Sequence, residues 1–286
     1  MPQIKPRDTD DLIRFINQHR EDIIAGNYDI EIDPQWVNTI TSADSMFLAN
    51  YCKSSRSIVG RYTTDQTILD TLISHRDGDV QIAIAENPNT SASCLESLSK
   101  NRMWGWKIRP IVAHHKNTSA ECLAILAKDE AYDVRREVAA NLNTPPDALD
   151  ILSRDSEYLV KCAVAENPNT PPDSLDILSR DSEFVVRCNV ASNLSTPIEV
   201  LEKLSKDSSP YVRCDVAENP NISVAILEVL ANDTAEIKCL VAQSIKTPPY
   251  VLGMLARDKD AKVREYAKKN PNTPKSLLTW WLDIWR

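Results

Sequence analysis

Cysteine and histidine are the residues of this chain whose side chains offer a nucleophile, a base or a metal ligand, so their spacing is weighed first. Four of the seven cysteines, Cys162, Cys188, Cys214 and Cys239, occupy the same place in successive copies of one recurring segment. Helices packed side by side sit roughly 8 to 10 Å apart, whereas a disulfide needs its Cα atoms within about 7 Å. The spacing therefore predicts a column of small buried hydrophobes that do not pair and are too far apart for tetrahedral metal closure. His114 and His115 are adjacent, which on a helix turns them about 100 degrees apart rather than onto one face. His19 and His75 are distant in sequence. With five glycines in all, neither a phosphate-binding loop nor a dinucleotide fingerprint can be assembled. The expectation is no catalytic residue, no metal ligand, no cofactor and no enzyme.

The elements that position these residues follow from repetition. The segment Val160 to Asp181, VKCAVAENPNTPPDSLDILSRD, recurs after 26 residues as VVRCNVASNLSTPIEVLEKLSKD and again as YVRCDVAENPNISVAILEVLAND. A period of this length means stacked supersecondary units, a solenoid whose length does not limit its core. A loop threonine marks the register at Thr64, Thr90, Thr118, Thr144, Thr170, Thr196, Thr247 and Thr273, with Ile222 in its place once, so about nine repeats are visible. Each reads as two short helices joined by an Asn-Pro-Asn-Thr-like turn. The threonine is expected to cap the second helix. Proline follows at Pro145, Pro171, Pro197, Pro248 and Pro274, and an acid three residues on (Glu121, Asp147, Asp173, Glu199) suggests a capping box.

Residues 1–53 lie outside the register and read as an N-terminal helical cap, with residues 54–286 forming the array. Thr9 or Asp10 is expected to cap a helix that Gly26 ends, Asp33-Pro34 to start a second through QWVNTI, and FLANYC to lie in a third. At the other end, LLTWWLDIWR, with Trp280, Trp281 and Trp285, reads as a capping helix that could also mediate self-association.

The charges have regular places too. Acid-then-base pairs four apart, Glu96 with Lys100, Asp150 with Arg154, Asp176 with Arg180 and Glu202 with Lys206, suit the second helix. An aspartate follows that helix at Asp129, Asp155, Asp181, Asp207, Asp233 and Asp258, placed to accept backbone N–H bonds. The next helix carries a base, giving the column Arg109, Arg135, Lys161, Arg187, Arg213, Lys238 and Arg264. Such a column either neutralises the stacked aspartates or meets phosphates. The net charge of -8 disfavours nonspecific attraction of the whole molecule to nucleic acid or anionic membrane. No run of about 18 apolar residues occurs and the N-terminus lacks a signal-peptide pattern, so a cytoplasmic protein is expected.

The spacing of Asp, four residues, an aliphatic and then Arg or Lys (Asp181 to Arg187, Asp207 to Arg213) resembles the HEAT repeat. The fuller string VRxxVAxNPNTPxxxLxxLxxD, best kept in Val160 to Asp181 and around Val263 to Thr273, resembles the leucine-rich repeat variant family over roughly four fifths of the chain. That resemblance implies an all-α, right-handed superhelical α-solenoid. Some members hold an iron–sulfur centre in an N-terminal cysteine cluster, but here the first fifty residues contain no cysteine and Cys52 stands alone. Related arrays include DNA-alkylation glycosylases and bilin lyase subunits, and no residue carries either activity across.

The pattern fails between Leu98 and Thr118, where 28 residues instead of 26 separate Thr90 from Thr118. SKNRMWGWKIRPIVAHHKNT places Met103 where other repeats keep aspartate and concentrates bases and tryptophans in an acidic protein. Either the tryptophans fill a widened gap between repeats or they form an anchor for a partner. The expected function is a non-enzymatic protein-interaction scaffold that binds another protein or peptide through Arg102, Trp104, Trp106, Lys107, Arg109 and His114. The competing expectation is a nucleic-acid module that uses the basic column.

Overall fold

The computed structural model describes residues 2–101 and 103–274. One repeat shows how the sequence folds. Helix Tyr158–Glu166 buries Val160 and Val164, four apart, together with Ala165. It stops at Asn167, whose extended backbone opens the turn. Pro171 then stands at the N-cap of helix Pro172–Leu178, which buries Ser174, Leu175 and Leu178. The pattern of a nine-residue helix followed by a seven-residue helix recurs at Phe184–Ser192 with Ile198–Leu204, Pro210–Glu218 with Val224–Leu230, and Ala235–Gln243 with Pro249–Leu255. The protein is thus a tandem α-helical repeat array with a repeat of about 26 residues.

The chain divides into two compact units, Met1–Ala148 and Leu149–Arg286, and the division falls inside helix Pro146–Leu152. Within the second unit the long helices pack successively against one another, Tyr158–Glu166 on Phe184–Ser192, that helix on Pro210–Glu218, and so on to Ala261–Lys269. Within the first, Lys53–Tyr62, Gly78–Glu86, Gly105–His114 and Tyr132–Ala140 do the same.

The loop threonine is not the N-cap. Thr170 is buried, and its hydroxyl donates to the Val164 carbonyl at 2.5 Å, as Thr196 does to Val190 and Thr247 to Val241. The end of an α-helix leaves carbonyls without partners, so the threonine seals the first helix instead of opening the second. The cap belongs to the following residue: Ser91, Ser119 and Ser223 accept from the backbone N–H of Cys94, Cys122 and Ile226. The first-turn acids Glu121, Asp173 and Glu199 therefore sit one place short of a capping box and act through the helix dipole. In the earliest register the buried residue is Thr63, and Thr64 is exposed.

Near the N-terminus the first helix is Thr9–Ile24, capped by Asp8 rather than Thr9 or Asp10, kinked at His19 and ended by Gly26 at φ 78°. Residues Gln3–Ile4 and Asp29–Ile30 pair as a parallel two-residue ladder that the sequence reading lacks. Asp33-Pro34 opens only the 3-10 turn Pro34–Trp36, and the next α-helix is Ser42–Tyr51, capped by Thr41.

Two polar ladders stitch neighbouring repeats together. In the first, a buried asparagine that ends most of the long helices donates to two carbonyls of the preceding repeat. Asn193 reaches Ala165 and Asn167 at 2.6 and 3.0 Å, and Asn219 reaches Ala191 and Asn193. Asn87, Asn141 and Asn270 do likewise. Each asparagine oxygen also accepts the N–H two residues on, as from Ser195 at 2.8 Å. At Ser244 the column residue has no amide to give, and a cavity of about 370 Å³ lined by Ala217, Asn219 and Ile245 opens beside it.

His115 fills the asparagine place in its repeat. Its Nε2 bonds the Asn87 carbonyl at 2.9 Å and its Nδ1 accepts from the Asn117 N–H, so the neutral tautomer with the proton on Nε2 imitates the amide. Burial lowers its pKa from the ordinary 6.5, with Lys116 and His114 adding to the effect against the Asn87 hydrogen bond. Because the folded value lies below the unfolded one, the unfolded chain binds the proton first as pH falls. Stability from this residue is complete above about pH 6.5 and declines below it. Chemical denaturation of the wild type and of His115→Asn across pH 5 to 8 should show a smaller acid-side loss in the variant.

Candidate functional site

The second ladder is charged. The aspartates after the short helices accept backbone N–H groups just beyond them, as their place in the sequence predicts: two residues on in most repeats, from Glu183 to Asp181 and Ser209 to Asp207 for example, and one residue on from Thr234 to Asp233. The base on a long helix then reaches two ways. Arg187 donates through Nη1 to the carbonyl of Asp181 at 2.7 Å, and through Nε and Nη2 to the carboxylate of Asp207, one repeat on, at 2.7 and 2.9 Å. Arg213 does the same with Asp207 and Asp233. Lys161 pairs with Asp181, and Lys238 with Asp258 at 2.9 Å. Arg264 donates to the carbonyls of Asp258 and Lys259, and Arg135 to those of Asp129 and Glu130. Hydrogen bonds from Arg213 hold the Asp233 carboxyl below its ordinary range although burial opposes this. On the short helices, three of the four anticipated pairs form: Glu96 with Lys100, Asp150 with Arg154, and Asp176 with Arg180.

In the irregular repeat the ladder continues without charge. Asn101, not Met103, holds the aspartate place: its Oδ1 accepts the N–H groups of Met103 and Trp104 at 2.8 Å. Its amide donates to Gln81, whose own amide reaches back to the His75 carbonyl at 2.7 Å, the six-residue reach that Arg187 makes to Asp181. Gln81 and Asn101 thus form a neutral rung, 20 residues apart like the charged ones. The next rung is charged again. Arg109 Nε lies 2.6 Å from Asp129 Oδ2 but out of hydrogen-bond alignment, while Nη2 donates to Oδ1 at 3.3 Å.

The two added residues fall between Asn101 and the buried Ile108, and they separate the fates of the tryptophans. Trp104 is the N-cap residue of helix Gly105–His114 and is half-buried. Its indole lies so close over Gly78 that a Cβ there would sit 2.5 Å from the ring, and its buried Nε1 has no partner. Trp104 therefore fills the gap between repeats. Trp106 points out instead, 65% exposed, with Lys107 Nζ 4.9 Å from the ring centroid. Pro110 lies within the helix and cannot donate to the Trp106 carbonyl. His114 is exposed and bonds Glu137 at 3.0 Å. Of the six anticipated binding residues, Trp106, Lys107 and His114 face solvent, Trp104 and Arg109 are built into the framework, and Arg102 lies outside the described residues, as does the tryptophan-rich stretch from 275 onward.

Sequence reading missed that Trp106 belongs to a register. It stands two residues before buried Ile108, as Tyr132, 42% exposed, does before Val134. The signal was the 26-residue interval, hidden because the aromatic type changes.

All seven cysteines are free. Burial, with a hydrogen bond to Asp215, pushes the Cys188 thiol up to about 12, and burial pushes Cys52 up to about 11. Such thiols are not nucleophiles at neutral pH. Among the described residues no group of three or more His, Cys, Asp or Glu is placed to hold a metal, and no helix is long and apolar enough to cross a membrane.

Comparison with known proteins bears on the repeat itself. The family model described as leucine rich repeat variant matches residues 132–157 and 158–183, each beginning with a long helix and ending before the next. These units are leucine-rich repeat variants. A solved leucine-rich repeat variant with a novel repetitive structural motif is similar at 22% identity, over 73% of this chain and 82% of that one, with a TM-score of 0.54. At that identity the likeness shows the variant-repeat fold alone. An engineered protein matches at 16% identity over 82% of this chain and 95% of the other, with a TM-score of 0.19 too low to carry an argument. No curated protein matches the sequence.

Proposed function

We propose that this repeat protein is a non-enzymatic interaction scaffold whose variant repeats present Trp106, with Lys107 and His114 on the same helix, to a partner protein. The observation that carries the reading is the exposure of Trp106 on a helix held firmly by the ladders on either side. A large aromatic ring left in water, with a cation beside it, is the composition of an interface anchor. The raised thiols and the ion-paired bases argue against catalysis. The same ion pairs disfavour the nucleic-acid reading, since a base engaged with a carboxylate would have to break that pair to meet a phosphate.

The test is affinity capture with the wild type and with Trp106→Ala/Lys107→Ala, after thermal melts show that the variant is folded. Both residues are exposed, so the melts should coincide within about 0.5 kcal/mol. Loss of a partner from the variant is expected. An unchanged set of partners would remove this helix from the account.

A further inference from the structure

The second unit carries exposed aromatics in the same register that Trp106 and Tyr132 hold in the first. Tyr158 and Phe184 each stand two residues before the buried valine of their long helix, and Tyr211 stands one residue before Val212. They are 47%, 45% and 67% exposed. The three helices pack in succession, and the Phe184 and Tyr211 rings approach to 5.9 Å between centroids at 33°. Apolar Leu159 and Val185 widen the strip.

Acids precede the first two of these rings. Glu157 and Glu183 directly precede Tyr158 and Phe184, and each is the N-cap residue of its helix. A carboxylate at that place ordinarily turns back to accept a first-turn N–H, but neither does so. Both are exposed, and neither forms an ion pair among the described residues. At the third position Ser209 and Pro210 precede Tyr211 and the ring has no such acid, whereas at the first two an uncommitted carboxylate adjoins an exposed aromatic face. That pair suits guanidinium, which stacks on a ring while its fork of N–H donors meets a carboxylate.

We propose that the Tyr158–Phe184–Tyr211 row is a docking site for an extended, arginine-rich segment of a partner protein, with one arginine taken by each repeat. Packed helices recur at roughly 8 to 10 Å. A polyproline II chain turns once in three residues and rises about 9 Å in doing so. Arginines three residues apart on such a segment therefore lie on one side at the interval of the helices that carry the rings. The net charge of -8 favours approach of a basic segment. This site uses residues of the second unit and the Trp106 anchor residues of the first, so either can fail without the other.

The probe is a fluorescein-labelled peptide with the repeat Arg-Pro-Pro three times, titrated into the full chain and followed by anisotropy. Saturable binding is expected. It should weaken at least tenfold in Tyr158→Ala/Phe184→Ala/Tyr211→Ala and also in Glu157→Gln/Glu183→Gln, while Trp106→Ala leaves it unchanged. All five replaced side chains are exposed, and thermal melts confirm folding; the glutamine pair keeps the test decisive if the alanine triple melts early. A peptide with the same three arginines adjacent should bind at least fivefold more weakly. Absence of binding, binding indifferent to both variants, equal binding of the clustered peptide, or equal binding of a serine-for-arginine peptide would each overturn the proposal.

Discussion

Asn193→Ala should destabilise the second unit by about 3 kcal/mol, read by urea or guanidinium unfolding, although the residue contacts no ligand and sits in a turn. The alanine removes two donated bonds to the Ala165 and Asn167 carbonyls and one accepted from Ser195. The side chain is buried. Leaving a buried polar group unsatisfied costs about 1–3 kcal/mol, and here three groups lose a partner while some regain water. Ser195→Ala, which removes an exposed bond to the Pro168 carbonyl, should cost only about 0.5–1 kcal/mol. Equal costs for the two would deny the asparagine ladder its role.

Asp233→Ala should cost a comparable amount. It leaves the Arg213 guanidinium, 16% exposed, without its carboxylate. Removing one partner from a buried pair costs about 3–5 kcal/mol, and partial exposure places this case near about 3 kcal/mol. The chain itself supplies the rescue. Because Gln81 and Asn101 build the same rung without charge, Arg213→Gln/Asp233→Asn should recover most of the loss, with a coupling of about 1–3 kcal/mol in the double-mutant cycle. The pH dependence adds a second reading. The Asp233 carboxyl is depressed when folded, so its contribution is present above the ordinary carboxylate range and is lost as pH falls through the folded value. The neutral double variant should lose less stability on acidification than the wild type.

The repeat, its two helices and the N–H-accepting aspartates were legible because each rests on a local rule that recurs many times. Thr170 was misread because a threonine before proline looks like a cap, and only burial shows its hydroxyl turned back to Val164. The rung between Gln81 and Asn101 escaped notice because its chemistry differs from its column while its geometry does not. Trp104 and Trp106 are two apart, but Trp104 is the N-cap residue and only Trp106 is helical, so their different fates depended on the room that Gly78, 26 residues earlier, leaves for the Trp104 ring. The aromatic row was hidden by its mixed types and by the one-residue shift at Tyr211. Interfaces seldom repeat identical residues, whereas framework columns do, and that is why the fold was far easier to read than the site.

The basic column is the point on which the two functional readings part. If Lys161, Arg187, Arg213 and Lys238 are framework, engaged with Asp181, Asp207, Asp233 and Asp258, the protein has no phosphate-binding stripe despite its seven aligned bases. Anisotropy titration of labelled single-stranded RNA and duplex DNA at low ionic strength tests this directly. The account predicts no saturable binding. Binding that is saturable, falls steeply with added salt and is lost in Arg187→Glu would contradict it and return the column to nucleic acid.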